Sequence, residues 1–308
     1  MKHFLLASFI FLGGITQAWG QDLEALLDST EEKKVEYAKA TFKSSRVVNL
    51  HSVEKVATGA LEFRISHRFG TLNGGSYQLW GLDQATIRLG LDYGINDWLM
   101  VGLGRSTYEK TYDFFVKANF TRQSTGARQM PVSVLYFGSV AINTLRPDAL
   151  GSREMDFQNR LSYVNQLIIG RKFSEAFSLQ LSPTFVMRNM TPMSLTRSDN
   201  LWAMGAAGRL KLSKRVALNA EYVYRLPPTE SRALAEFNNY YNSLSVGFDI
   251  ETGGHVFQFH VSNSSPMIEK GFIAETTGDW TNGGVHIGFN ITRNFQLGNK
   301  KGGELKMK

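Results

Sequence analysis

Two histidines, His260 and His286, come nearest in type and spacing to a metal site in this chain. Each falls on the polar face of an alternating run, HVFQFHVS (255–262) and VHIGFNIT (285–292). A hairpin centred near Gly271 would set the two imidazoles roughly opposite, and neutral imidazole is a good ligand for zinc. A zinc site needs a third donor, and none is evident near either run. The chain also has no cysteine, which rules out thiolate sites and disulfide staples. The pair therefore reads as hydrogen-bonding residues, and neither a metal nor a cofactor is expected.

Ser66-His67 is the only sequence that suggests a nucleophile beside a base. Neighbours on a strand point to opposite faces, so these two cannot pair with each other. No G-x-S-x-G, H-E-x-x-H or phosphate-binding loop occurs. No catalytic residue is assigned, and the chain is expected not to be an enzyme. What remains is a set of charged residues that share the polar faces with His260 and His286. They are Glu62, Arg64, Arg68, Arg88, Asp92, Lys117, Arg188, Arg209, Lys211, Glu221, Arg225 and Asp249.

Those faces belong to a repeating element. Twelve alternating runs lie between Ala60 and Phe295: 60–69, 85–93, 98–106, 111–120, 131–142, 161–170, 177–188, 201–212, 216–225, 242–251, 255–262 and 285–292. Alternation of period two gives a strand with one apolar and one polar face, and about ten tilted residues cross a bilayer. ATIRLGLDY, for example, sets Ile87, Leu89, Leu91 and Tyr93 against Thr86, Arg88, Gly90 and Asp92. Two runs are mixed: PVSVLYFGSVAI and LSYVNQLIIG carry apolar residues on both faces. Pro183 interrupts FSLQLSPTFVMR and implies either a bulge or a wrong assignment.

The connections alternate as well. GIND, SEA (174–176), SKR (213–215) and TGG (252–254) are short, and TRQSTGARQ (121–129) is the longer member of that set. The other set is long except for YEK (108–110). Short turns on one side and long loops on the other, with an even strand number, is the pattern of an outer-membrane barrel. Outward aromatic residues gather at both ends, as two interfacial girdles would.

The flanks agree with export. Residues 1–20 have a basic head, an apolar core and small residues at 18 and 20, so a signal peptide cleaved before Gln21 is expected. Residues 21–59 read as a periplasmic N-terminal segment, a short amphipathic helix over 21–46 that would serve as a plug, a partner-binding arm or a linker. The barrel occupies 60–295, and 296–308 is a basic tail. A net charge of +7 spread through strands and loops does not suggest nucleic acid. A mean hydropathy of -0.20 is compatible with a barrel that hides its apolar band by alternation.

RISHRFG (64–70), GLDQATIRLGLDYGIND (81–97), VGLGRSTYEKTYDFFVK (101–117) and MPVSVLYF (130–137) resemble a bacterial family of outer-membrane β-barrels catalogued as a domain of unknown function. The resemblance implies a barrel and an outer-membrane location, and it brings no catalytic residues. The expectation is an all-β transmembrane antiparallel barrel of about twelve strands, in contact with outer-membrane lipid and with no nucleic-acid partner. A narrow pore or transporter for small solutes is the leading function, its inward charges lining or bridging the bore. A structural or surface-binding barrel with partner-binding loops is the alternative, and a lipid-modifying enzyme is the least favoured. A soluble lectin-like or lipocalin-like barrel is the alternative fold.

Overall fold

A run that alternates Leu or Phe with Arg, Ser or Gln becomes a sheet with one greasy and one polar side. The computed structural model describes residues 34–150, 156–189, 199–229, 234 and 237–297. Among these the strands are β1 (Val35–Tyr37), β2 (Ala60–Thr71), β3 (Ala85–Gly94), β4 (Leu99–Ser106), β5 (Tyr112–Thr121), β6 (Ser124–Gly126) and β7 (Ser133–Ile142). They continue with β8 (Leu161–Lys172), β9 (Phe177–Arg188), β10 (Asp199–Lys211), β11 (Val216–Arg225), β12 (Ser243–Thr252), β13 (His255–Ser262) and β14 (His286–Gln296). A short helix, α1 (Glu269–Ala274), lies in the connection between β13 and β14.

The chain divides into two units. In one, β1 and β6 pair antiparallel, with Val35 opposite Gly126. The other is a closed barrel of the remaining twelve strands in chain order, and β14 closes it against β2 with Ile291 opposite Ile65. Every pairing in the barrel is antiparallel. The expected signal peptide, the 21–33 part of the expected helix and the tail from 298 onward lie outside the described residues. Residues 34–46 form β1 and then bends, with no helix. Ser44 and Ser45 instead turn their hydroxyls to Arg64 and Glu62 on the barrel wall.

The barrel buries its charges and exposes its hydrocarbon. Its largest fully buried side chains include Arg64, Arg68, Arg88, Arg188 and Lys117. Leu181 is 53 % exposed, Phe259 51 % and Leu89 46 %, and such residues recur on every outward row. A contiguous apolar wall of this extent is unfavourable in water and favourable in hydrocarbon. Closure leaves no unpaired strand edge, which is the condition for crossing a bilayer with strands. Among the described residues no helix is long and apolar enough to cross a membrane.

Pro183 fits neither expected outcome. β9 runs through it with no bulge: Met204 pairs with Pro183 on one side, and on the other Gln166–Thr184 and Ile169–Leu181 keep one register. The two intervening positions on the β8 side are unpaired. A proline supplies no N–H there, so the ladder lapses locally without shifting. Shifts of register occur elsewhere, at His286/Gly288 and Asn119/Thr121.

Candidate functional site in the bore

The inward charges do not face an empty channel. Residues 41–56 run through the bore, and Thr41 to Val53 are buried apart from the half-buried Lys43. The segment makes a tight hairpin: Val47 N–H donates to Leu50 O at 2.8 Å, Ser52 N–H to Ser45 O at 3.0 Å, and Arg46 bridges His51. It enters from the turn end, because Ala60 begins β2 there.

Glu221 on β11 holds the hairpin tip. Its carboxylate accepts N–H bonds from Val48 (3.1 Å), Asn49 (2.9 Å) and Leu50 (3.0 Å). Successive backbone N–H groups converging on one anion form a nest, and a charged acceptor strengthens each bond. Around it, Asn49 donates to Ser245 Oγ at 3.1 Å and accepts from Arg68 Nη2 at 2.6 Å. Gln258 donates to Val47 O at 2.6 Å, Asn290 to Val48 O at 3.1 Å, and Gln180 to His51 O at 2.6 Å. Arg64 reaches Ser44 Oγ (2.7 Å), Ser45 Oγ (2.8 Å) and Glu62 (2.6 Å), while Lys117 donates to the carbonyls of Ser45 and Glu54.

The opposite wall is apolar. Phe42, Val47, Leu50, Val53 and Val56 form one core with inward Met100, Phe115, Leu135, Phe137, Val164, Ile168 and Val186. That explains the two mixed strands, β7 and β8, whose inward apolar residues are the seat of the hairpin. Gly170 marks a close approach, since a Cβ there would lie 2.5 Å from Val53 Cγ1.

From the loop end, α1 folds into the bore and all six of its residues are buried. Glu269 pairs with Arg46 at 2.6 Å and approaches His51 at 3.3 Å, so loop and hairpin meet inside the barrel. Above it, Glu275 accepts from Arg188 (3.2 Å) and from the Tyr108 hydroxyl (3.0 Å), and Lys270 pairs with Glu275 and Glu109. Against the pull of burial, Lys270 and Arg188 hold the Glu275 carboxyl below its ordinary range. Burial and then the Glu275 charge push the Tyr108 phenol up.

The residues singled out from sequence fall as follows. Glu62, Arg64, Arg68, Lys117, Arg209 and Glu221 bind the N-terminal segment or one another around it, Arg209 through Ala40 O at 3.2 Å. Arg188 and Arg225 bind loops, Arg225 through Phe237 O (3.0 Å) and Tyr240 O (2.7 Å). Arg88 pairs with Asp113, Asp249 accepts from Gln258 at 2.8 Å, and Asp92 is buried opposite Gly102. Lys211 is only half-buried, at the end of β10.

His260 and His286 are not brought together as a pair. His260 stands opposite Gly288 and accepts from Arg68 Nε at 2.9 Å, while His286 stands opposite Ser262 and donates to Phe69 O at 2.8 Å. Among the described residues no cluster of three His, Asp or Glu is placed to hold a metal. Ser66 is buried inward, and His67 points outward and stacks on Phe289 with ring centroids 4.9 Å apart. Sequence reasoning missed Arg46, Asn49, His51 and Glu269. The available signal was the inward apolar set Leu135, Phe137, Val164 and Ile168, which a water-filled lumen would not favour.

A family model described as "Membrane bound beta barrel domain (DUF5777)" matches residues 42–295. Among solved structures, the NanC porin aligns over 77% of this chain and 100% of its own, at 8% identity and a TM-score of 0.47. The KdgM porin aligns over 77% and 98%, at 9% identity and a TM-score of 0.43. The translocator domain of the autotransporter NalP from Neisseria meningitidis aligns over 92% and 97%, at 12% identity and a TM-score of 0.37. No curated protein matches the chain.

Proposed function

The chain belongs to the family of membrane bound beta barrel domains, matched over residues 42–295, and on that premise we propose an outer-membrane barrel held shut by its own N-terminal segment, which passes small solutes when that segment withdraws. The observation that carries this reading is the hairpin of residues 45–52 seated in the bore on Glu221. The outer-membrane assignment is supported by barrel closure, the apolar outward wall, the turn–loop asymmetry and the signal-like residues 1–20.

The seat is two-sided, and this suits a gate. On the β11–β14 and β2 side the hairpin is held by hydrogen bonds to polar groups that would be rehydrated once it leaves. A bore so opened would present Arg64, Arg68, Arg88, Lys117, Arg188, Arg209 and Arg225 against Glu62, Asp92, Asp113, Glu221 and Asp249. Cations in excess give a mild preference for anionic solutes. The apolar side formed by β4, β5, β7 and β8 favours a second reading, in which the hairpin never leaves and the protein is a structural or surface-binding barrel.

Planar-bilayer recording separates the two. The folded full chain should show rare, brief openings, and variants lacking 41–56 or carrying Glu221→Ala should conduct more often. A full chain that conducts steadily overturns the gate. Folded variants that stay silent overturn conduction and leave the second reading.

A further inference from the structure

The outward wall is not uniformly bulky. Register places Ile169, Leu181, Ala206, Tyr222 and Leu244 in one row across β8–β12, and Arg171, Leu179, Gly208, Ala220 and Val246 in the next row toward the turn end. Ala206, Gly208 and Ala220 are small, and the residues beside them, Leu179, Leu181, Tyr222 and Phe173, are large. The result is a cleft of about 540 Å³ in the outer surface, lined almost wholly by carbon. That volume lies within the roughly 300–1,000 Å³ of clefts that hold small molecules.

A cation stands beside the cleft, over one of its lining residues. Arg171 projects outward in the Gly208 row, with its guanidinium 5.1 Å from the Phe173 ring centroid. Lys214 and Arg215 are exposed in the turn that closes β10 and β11, the two strands whose small residues form the floor. A charge on the lipid-facing wall is unfavourable unless it lies near an interface and meets a counter-ion. The planar fork of Arg matches a phosphate bidentately, and basic sites beside apolar clefts are how membrane proteins select anionic headgroups.

We propose that this cleft is a binding site for one anionic phospholipid, with an acyl chain lying over Ala206, Gly208 and Ala220 and the phosphate on Arg171. The site rests on the chain being a membrane-bound barrel and is independent of whether the bore conducts. Arg293 supplies an internal control: it also points outward at the turn end, over Phe295 at 5.0 Å, but its neighbours in register are the large Phe63 and His255 rather than Gly or Ala.

The test is native mass spectrometry of the folded full chain extracted from vesicles of equal parts phosphatidylglycerol and phosphatidylcholine. The wild type should retain one phosphatidylglycerol per chain in preference to phosphatidylcholine. Arg171→Gln removes the phosphate partner, and Gly208→Leu fills the floor. A Cβ at 208 meets only the flexible end of Leu179, at 3.1 Å, and Ser178 O at 3.9 Å. Each should lower retention about tenfold, as loss of a charge-assisted contact or of the apolar seat implies, whereas Arg293→Gln should match the wild type. Equal retention of the two lipids, or equal effects of Arg171→Gln and Arg293→Gln, overturns the proposal. If Gly208→Leu does not fold, Arg171→Gln alone decides it.

Discussion

Arg46 Nη1 lies 2.6 Å from Glu269 Oε1, which joins a hairpin that enters from the turn end to a helix that enters from the loop end. Both side chains are 3 % exposed. Breaking a buried pair by neutralising one member leaves the other charge stranded, at a cost of roughly 3–5 kcal/mol, whereas replacing both by apolar groups is often neutral. Glu269→Gln should therefore raise amide exchange across 44–52 and across α1 together. Arg46→Met with Glu269→Leu should restore most of the protection. If the double variant exchanges as fast as the single one, the pair is not what couples the two segments.

Glu221 accepts three successive N–H bonds and so fixes the tip rather than the stem of the hairpin. Glu221→Gln keeps the shape but aims an NH₂ group at those donors. The loss should be about 1–3 kcal/mol, the range for buried donors left unsatisfied. Exchange at Val48, Asn49 and Leu50 should rise first, with little change in the β11–β12 ladder. An unchanged tip would mean that the apolar seat alone holds the segment.

How much of this was legible in the residues divides along the same line. The barrel was, because alternation is local and each strand carries its own signal, as in β3 and β12. The occupied bore was not. TFKSSRVVNLHSVEKVA (41–57) has no period, and the groups that fix it, Glu221, Gln258, Asn290 and Gln180, lie more than a hundred residues away. The interior charges were visible, but their partners are hairpin and loop atoms, which alternation does not reveal. β7 and β8 held the missing clue, since Leu135, Phe137, Val164 and Ile168 face inward and require something apolar to face them.

Gly170 tests that apolar seat from the wall side. Any side chain there meets Val53 at 2.5 Å, and the strand backbone cannot yield. Gly170→Val should cost about 1–3 kcal/mol through overpacking and should expel the hairpin rather than unfold the barrel. Limited proteolysis within 41–57, with the barrel core intact on a gel, would report it. A variant as protease-resistant as the wild type would place the seat elsewhere.

The outward wall offers a measurement that depends on its solvent alone. Val246 sits midway along β12 and Ile250 near its turn end, and both face outward at 37 % and 43 % exposure. In water an arginine at either position would be nearly neutral. In a bilayer it costs roughly 2–4 kcal/mol at mid-depth and about 0–1 near an interface. Val246→Arg should therefore destabilise the barrel in lipid vesicles far more than Ile250→Arg does, as read by denaturant unfolding from the membrane. Nearly equal losses at the two depths would mean that these strands meet no hydrocarbon gradient, and the bore, its hairpin and the lipid cleft would all need a different account.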